Sequence, residues 1–270
     1  MLRNLFCIAV VFIWLALSFL LACLAMLVTF NADNSMWVAR RFFSPVALWA
    51  AGVQLIVQGR HNVEPSRPTV YVSNHQSTAD IPALLAALPV NIRFVAKEQL
   101  RWVPIIGWFL WLAGHIMVDR SNTRRAIASL DAASKKIRNG TSIIVFPEGT
   151  RSPNARILPF KKGPFALALQ AGVSICPVTV EGSARVMPKN SWKIRPGQIA
   201  VKIGEPIDAS QYSQEDRETL MRQVRDVIIS QSLELGGKGG DRDDVVAARG
   251  MEGVGRAGRG GDKEEELRIT

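Results

Sequence analysis

The sequence predicts an α/β protein, with a largely parallel sheet flanked by helices, preceded by an N-terminal transmembrane helix and a possible second interfacial helix. Three observations predict it. Short β-branched runs alternate with helix-length stretches from residue 69 onward, the pattern of strands linked by crossover helices. Residues 5–30 carry no charge, about 26 residues where roughly 20 suffice to cross a bilayer core. A chain of 270 residues that is 48% hydrophobic has room for one sizeable core.

The elements follow in chain order. The 5–30 run is too long for the apolar segment of a signal peptide, about 7–15 residues, and no small-x-small cleavage site follows it, so it reads as an anchor. Arg3 flanks one side and Arg40 and Arg41 the other, which favours a body on the cytoplasmic side of a membrane. Residues 36–57 mix Trp37, Phe42, Phe43 and Trp49 with aliphatics around Pro45; they fit an interfacial helix or a buried amphipathic one equally.

Beyond this the runs TVYVSNH, IRFVAKE, SIIVFPEG, VSICPVTV and QIAVKIG read as strands, and residues 81–88, 123–139, 163–171 and 214–235 as helices, the second and third ended by Gly140 and Gly172. Trp102, Trp108, Phe109 and Trp111 in 101–113 suit an acyl-chain groove, a membrane-dipping segment or plain core. The expected organisation is an anchor with an interfacial helix at 1–57, a catalytic domain at 58–235, and a Gly/Arg-rich tail at 236–270. That tail has too few apolar residues to offset its ordering entropy and is expected to be disordered.

The net charge of +10 implies an anionic partner: nucleic acid, lipid headgroups or a phosphorylated substrate. Nucleic acid is not expected, because the basic residues lack interleaved aromatic platforms and the chain starts with an anchor. Cys7, Cys23 and Cys176 form no disulfide framework or zinc spacing, and His61, His75 and His115 lack the paired spacing of metal ligands. No metal and no cofactor are therefore expected, and a reducing compartment fits.

Chemistry concentrates in two clusters. Asn74-His75-Gln76-Ser77-Thr78-Ala79-Asp80 lies where a strand yields to a helix. Five residues along a continuous helix would set His75 and Asp80 about 140° apart, so they face each other only across a loop or helix entry. Asp80 as an N-cap, with Pro82 in the first turn, permits that. A carboxylate on one imidazole nitrogen would fix the tautomer and support proton uptake at the other, a general-base pair without a protein nucleophile. The alternative is a turn histidine beside an ordinary cap.

The second cluster, Phe146-Pro147-Glu148-Gly149-Thr150-Arg151-Ser152, follows another strand. A tight glycine turn, free amides, a hydroxyl and a guanidinium read as an anion site. Lys161 and Lys162 before a helix add cations. Either Lys97 or Arg120 completes a phosphate clamp; alone, each reads as a surface lysine or a structural ion pair.

Taken in order, NHQSTAD, GHIMVDR, FPEGTRS and ICPVTV resemble the four motif blocks of the glycerolipid acyltransferase family, most nearly its 1-acylglycerol-3-phosphate (lysophosphatidic acid) acyltransferases. The resemblance spans about 57–208. It implies that His75 is the catalytic base and Asp80 its partner, with Asn74 beside them. It also implies that Glu148, Gly149, Thr150 and Arg151 bind the acceptor phosphate with Lys97 and Arg120, and that Pro177 supports the fourth block. Met117-Val118 stands where the family often has Phe-Ile. The implied partners are a lysophospholipid acceptor, an acyl-CoA or acyl-carrier-protein donor and the bilayer; the implied reaction forms phosphatidic acid, the alternatives being acyl transfer to glycerol-3-phosphate, a lysocardiolipin or a lyso-aminolipid, or a non-catalytic lipid-binding membrane protein.

Overall fold

The computed structural model describes residues 2–119, 123–241 and 267–269. Seven strands form the main sheet: β1 (Val53–Gln58), β2 (Val70–Ser73), β3 (Ile92–Lys97), β4 (Ile116–Val118), β5 (Ser142–Val145), β6 (Ile175–Glu181) and β7 (Gly197–Ile203). Their order is β4-β3-β5-β2-β6-β7-β1, and β6 against β7 is the one antiparallel pairing within it. A short β8 (Leu267–Ile269) pairs antiparallel with β1. Buried on both faces, β2, β5 and β6 read as continuous apolar runs, as central parallel strands do.

Helices cover both faces. On one, α3 (Ser44–Ala51) and α4 (Asp80–Ala87) join a core that includes Leu48, Leu84, Leu88, Ile144 and Val201. On the other, α6 (Thr123–Arg138), α7 (Gly163–Ala171) and α9 (Arg217–Glu234) bury Ile137, Phe165, Val224 and Ile228. The helix expected from residue 214 begins at Arg217, because Ser213 and Asp216 first bond each other reciprocally in a turn.

The helix α1 (Leu2–Thr29) is 28 residues, about 42 Å, and is long and apolar enough to cross a membrane. It packs antiparallel to α2 (Asp33–Val38), a π-helical turn (Ala39–Phe43) and α3. Both of its ends reach the body. Near the N-terminus Arg3 and Asn4 bond the main chain of Trp192 and Ile194. Just past the C-terminus Asp33 pairs with Arg93 at 2.6 Å and accepts from Asn91. Its outer flank leaves Phe6, Phe12, Ile13, Leu20, Leu24 and Leu27 exposed.

Two boundaries move relative to the sequence reading. Gly52, left-handed at φ 68°, ends α3, so residues 53–58 belong to the sheet as β1 rather than to the anchor. The tail does not begin as disordered chain at 236. Gly239 accepts from Ile157 N at 2.8 Å, Gly240 from Arg156 at 2.7 Å, and Lys238 donates to Asn154 O at 2.9 Å. Composition counts side-chain burial, whereas this glycine run is held by main-chain hydrogen bonds. Of the expected disorder, residues 242–266 and 270 lie outside the described residues.

Gly182 turns the chain from β6 into α8 (Ser183–Val186) with φ 89°, and a Cβ there would stand 2.2 Å from Gln198 O. Gly182→Ala is expected to destabilise the fold by about 2 kcal/mol or more, from backbone strain plus overlap. Thermal unfolding checks this; an unchanged Tm contradicts it.

Candidate active site

Strands β2 and β5 are parallel neighbours, yet their following helices lie on opposite faces, α4 with one core and α7 with the other. Loops that part in this way open a crevice at the carboxyl ends of the strands, where open α/β sheets hold ligands. Both sequence clusters sit there.

The side chain of Asn74, fully buried, continues the β2–β6 pairing where the backbones diverge. Its amide donates to Val180 O at 2.9 Å and accepts from Val180 N at 2.8 Å. The main chain is thereby free to turn and present His75. His75 Nδ1 lies 2.7 Å from Asp80 Oδ2. The ring stacks on Phe146 with centroids 4.0 Å apart, and its side chain is 17% exposed. Its Nε2 has no hydrogen-bond partner among the described residues.

Asp80 is the first residue of α4 rather than its N-cap. Its Oδ2 reaches back instead, accepting from the amides of Gln76 and Ser77 at 2.8 and 2.9 Å as well as facing the imidazole. Those amides hold the carboxylate in place, and the carboxylate fixes the ring. The neighbouring loop is tied on further sides. Ser77 Oγ donates to Met187 O, Ser152 N donates to His75 O, and Gln76 donates to Glu181, which also accepts from Ser232.

Glu148 corrects the sequence expectation. The resemblance puts it among the phosphate-binding residues, but it is buried and turned away from solvent. Oε1 accepts from His75 N at 2.7 Å and Oε2 from Leu158 N at 3.0 Å. A carboxyl group with both oxygens committed to main-chain amides has no free donor to offer a phosphate. Glu148 instead staples the histidine loop to the chain after β5. Burial pushes its pKa up to about 7, against the pull of the two amides.

The rim supplies the cations. Gly149, at φ 73°, makes the turn; Arg151 donates to Thr78 Oγ1 at 2.9 Å, reaching across to the loop between His75 and Asp80. Thr150 Oγ1 accepts from Lys189 at 3.2 Å, and Lys189 also donates to Arg151 O at 2.7 Å. Sequence reading missed Lys189; it is one of four cations, with Arg185, Lys193 and Arg195, in the stretch after the fourth block, and nothing in the sequence singles it out. Lys97 ends β3 at the same end of the sheet, exposed and without a described bond to the Gly149–Arg151 turn. Arg120 lies outside the described residues. Pro177 is inside β6, paired with Val72, and packs against Gly204 just past the end of β7, where a Cβ would meet its ring at 2.9 Å. It stands four residues before Glu181, about 13 Å from the crevice, and so shapes the sheet without reaching the site. His115 is a buried neutral acceptor for Phe94 N, its pKa lowered to about 3 by burial and by nearby Arg93.

Glu148 has a signed consequence for stability. Its folded pKa stands above its ordinary 4.5, so the folded state binds more protons between pH 4.5 and 7, and stability falls as pH rises through that window. The loss amounts to roughly 3 kcal/mol. Glu148→Gln is expected to reduce this slope, read as unfolding free energy against pH, with the buried Glu181 supplying what remains; an unchanged slope removes Glu148 as a source.

An acyltransferase family model matches residues 54–181. The chain is 34% identical over 185 residues to the 1-acyl-sn-glycerol-3-phosphate acyltransferase of Limnanthes douglasii, covering 68% of this chain and 65% of that protein's length. It is 34% identical over 208 residues to the alpha form from Ovis aries, covering 77% of this chain and 72% of the relative. The crystal structure of the 1-acyl-sn-glycerophosphate acyltransferase from Thermotoga maritima superposes with a TM-score of 0.74 at 27% identity, covering 97% of both chains. With the histidine–aspartate pair, the turn after β5 and these relatives agreeing, the chain belongs to the acyltransferase family that includes the 1-acyl-sn-glycerol-3-phosphate acyltransferases.

Proposed function

We propose that this protein transfers an acyl group from a thioester, acyl-CoA or acyl-carrier protein, to the sn-2 hydroxyl of 1-acylglycerol-3-phosphate, yielding phosphatidic acid. The observation that carries the reading is the 2.7 Å contact between His75 Nδ1 and Asp80 Oδ2, with Nε2 left to act on substrate. His75 Nε2 takes the proton from the acceptor hydroxyl as its oxygen attacks the thioester carbonyl carbon. The tetrahedral intermediate collapses by breaking the carbon–sulfur bond, and the imidazolium returns its proton to the departing thiolate. The products are an ester and a free thiol, and the sequence as written draws on no acyl-enzyme, metal or cofactor.

Arg151 holds the acceptor phosphate, which orients the hydroxyl toward the base. The amides of Gln76 and Ser77 do not serve the oxyanion, because Asp80 occupies them. His75→Ala is expected to lower kcat by about 10²–10⁴-fold with the far-ultraviolet spectrum unchanged. Near-wild-type turnover from a folded His75→Ala protein rules out the pair as the base. A panel of lyso-acceptors offered with each donor tests the substrate assignment; preference for a phosphate-free acceptor contradicts it.

Membrane attachment follows the apolar flank of α1. This flank continues onto the 3-10 turn Glu98–Trp102 and α5 (Ile106–Leu112): Phe19 meets Trp108 with centroids 6.2 Å apart, and Trp102 on the turn and Trp111 on α5 are 81% and 71% exposed. Such aromatics belong at a headgroup boundary. Because the body grips α1 near both ends, both ends stand on one side, so the helix expected to span the membrane instead rests along it, with the catalytic domain facing the cytoplasm. Replacing Trp102 and Trp111 with Ser is expected to reduce co-flotation with anionic vesicles severalfold at unchanged Tm. Full retention on vesicles removes α5 from the contact.

A further inference from the structure

The loop after α8 brings a cation to the crevice from outside both sequence clusters. Lys189 Nζ stands 3.2 Å from Thr150 Oγ1 and 2.7 Å from the Arg151 carbonyl oxygen. Both acceptors are neutral. The Arg151 guanidinium, next along, donates to another neutral oxygen, Thr78 Oγ1. Neither cation forms an ion pair with a carboxylate among the described residues. Three carboxylates next to the crevice are turned inward: Asp80 to the imidazole and two amides, Glu148 to two amides, Glu181 to Gln76 and Ser232. Two cations held at one turn by neutral oxygens alone, with no carboxylate among the described residues paired to either, are a poor arrangement for a protein alone and a good one for a doubly charged ligand.

The lysine is also held in register with the catalytic loop. Ser77 Oγ donates to Met187 O at 2.6 Å, and Met187 N donates to Ser183 O at 2.9 Å, so the turn that carries Lys189 is pinned to the loop that carries the base. An anion seated between Lys189 and Arg151 is therefore fixed relative to His75.

We propose that Lys189 is the second cation of the acceptor-headgroup site and that, with Arg151, it selects a phosphomonoester over a phosphodiester. A phosphomonoester carries about −1.5 to −2 charges near neutral pH, whereas a diester carries only one. Arg151 supplies the planar fork that engages two oxygens, and Lys189 a point charge on a flexible stem that exchanges its hydroxyl and carbonyl acceptors for the remaining oxygen. One cation binds either headgroup; the second distinguishes them. This inference rests on the acceptor named under the proposed function and adds to it the residue that reads headgroup charge.

The test uses the full chain in mixed micelles, with whichever thioester donor supports turnover. Two constants are read for the wild type, Lys189→Met and Lys189→Arg: the KM for 1-acylglycerol-3-phosphate, and the Ki of its methyl phosphodiester as a competitor. The expected result for Lys189→Met is a KM raised about tenfold, as for loss of one charge-assisted bond. Its kcat should stay within about twofold and the diester Ki should be nearly unchanged, with Lys189→Arg recovering most of the loss. If Lys189 merely braces the Arg151 turn, both constants rise together in Lys189→Met; that outcome, or no change in either, overturns the inference while leaving the acyl-transfer assignment intact. Wild-type protein that acylates other lyso-acceptors but not the monoester overturns both.

Discussion

The site depends on one buried oxygen. Asp80 Oδ2 takes hydrogen bonds from the amides of Gln76 and Ser77 while facing His75 Nδ1, so a single atom sets the loop conformation and the imidazole orientation together. Charge-assisted bonds from main-chain amides lose little mobility on forming, and a carboxylate so held needs no reorganisation when the imidazole becomes cationic. Position and electrostatics therefore have the same origin. A helix start supplies the carboxylate, and a strand end supplies the ring.

Around that oxygen the molecule arranges a second layer of buried acids with a different purpose. Glu148 joins the histidine loop to the chain leading to Leu158, and Glu181 joins Gln76 to α9 through Ser232. Each lies where adjacent strands have stopped pairing and main-chain or amide donors would otherwise be unsatisfied. Asn74 does the same with a neutral side chain against Val180. Burial raises the pKa of both glutamates, the cost of placing ionisable acceptors where strands diverge.

Much of this was legible in the sequence, and the reasons are local. The runs that became β2, β3, β5, β6 and β7 are short, β-branched and bounded by turn residues, and the pairing of His75 with Asp80 required a loop or helix entry between them, which Asp80 and Pro82 at a helix start permit. The three-residue β4 is too short for any periodicity to register, and β1 was absorbed into the aromatic segment before it. Motif chemistry identified Glu148 as important but not which way it points, since direction is decided by amides at positions 75 and 158. Lys189 lies 39 residues from Thr150, a separation over which no pattern speaks. The tail was misread at its start because glycine-rich composition reports a shortage of side chains to bury, and the segment at 237–240 is bound through its peptide groups.

The uninterrupted oily flank from α1 to α5 bears on kinetics as much as on attachment. If the proposed acyl transfer takes place along a bilayer, the lipid reactants arrive by lateral encounter in a plane, and the rate follows their surface mole fraction rather than their amount per litre. Diluting the film with inert lipid would then slow it at constant total substrate, and the ester it makes would leave sideways into the leaflet without passing through water.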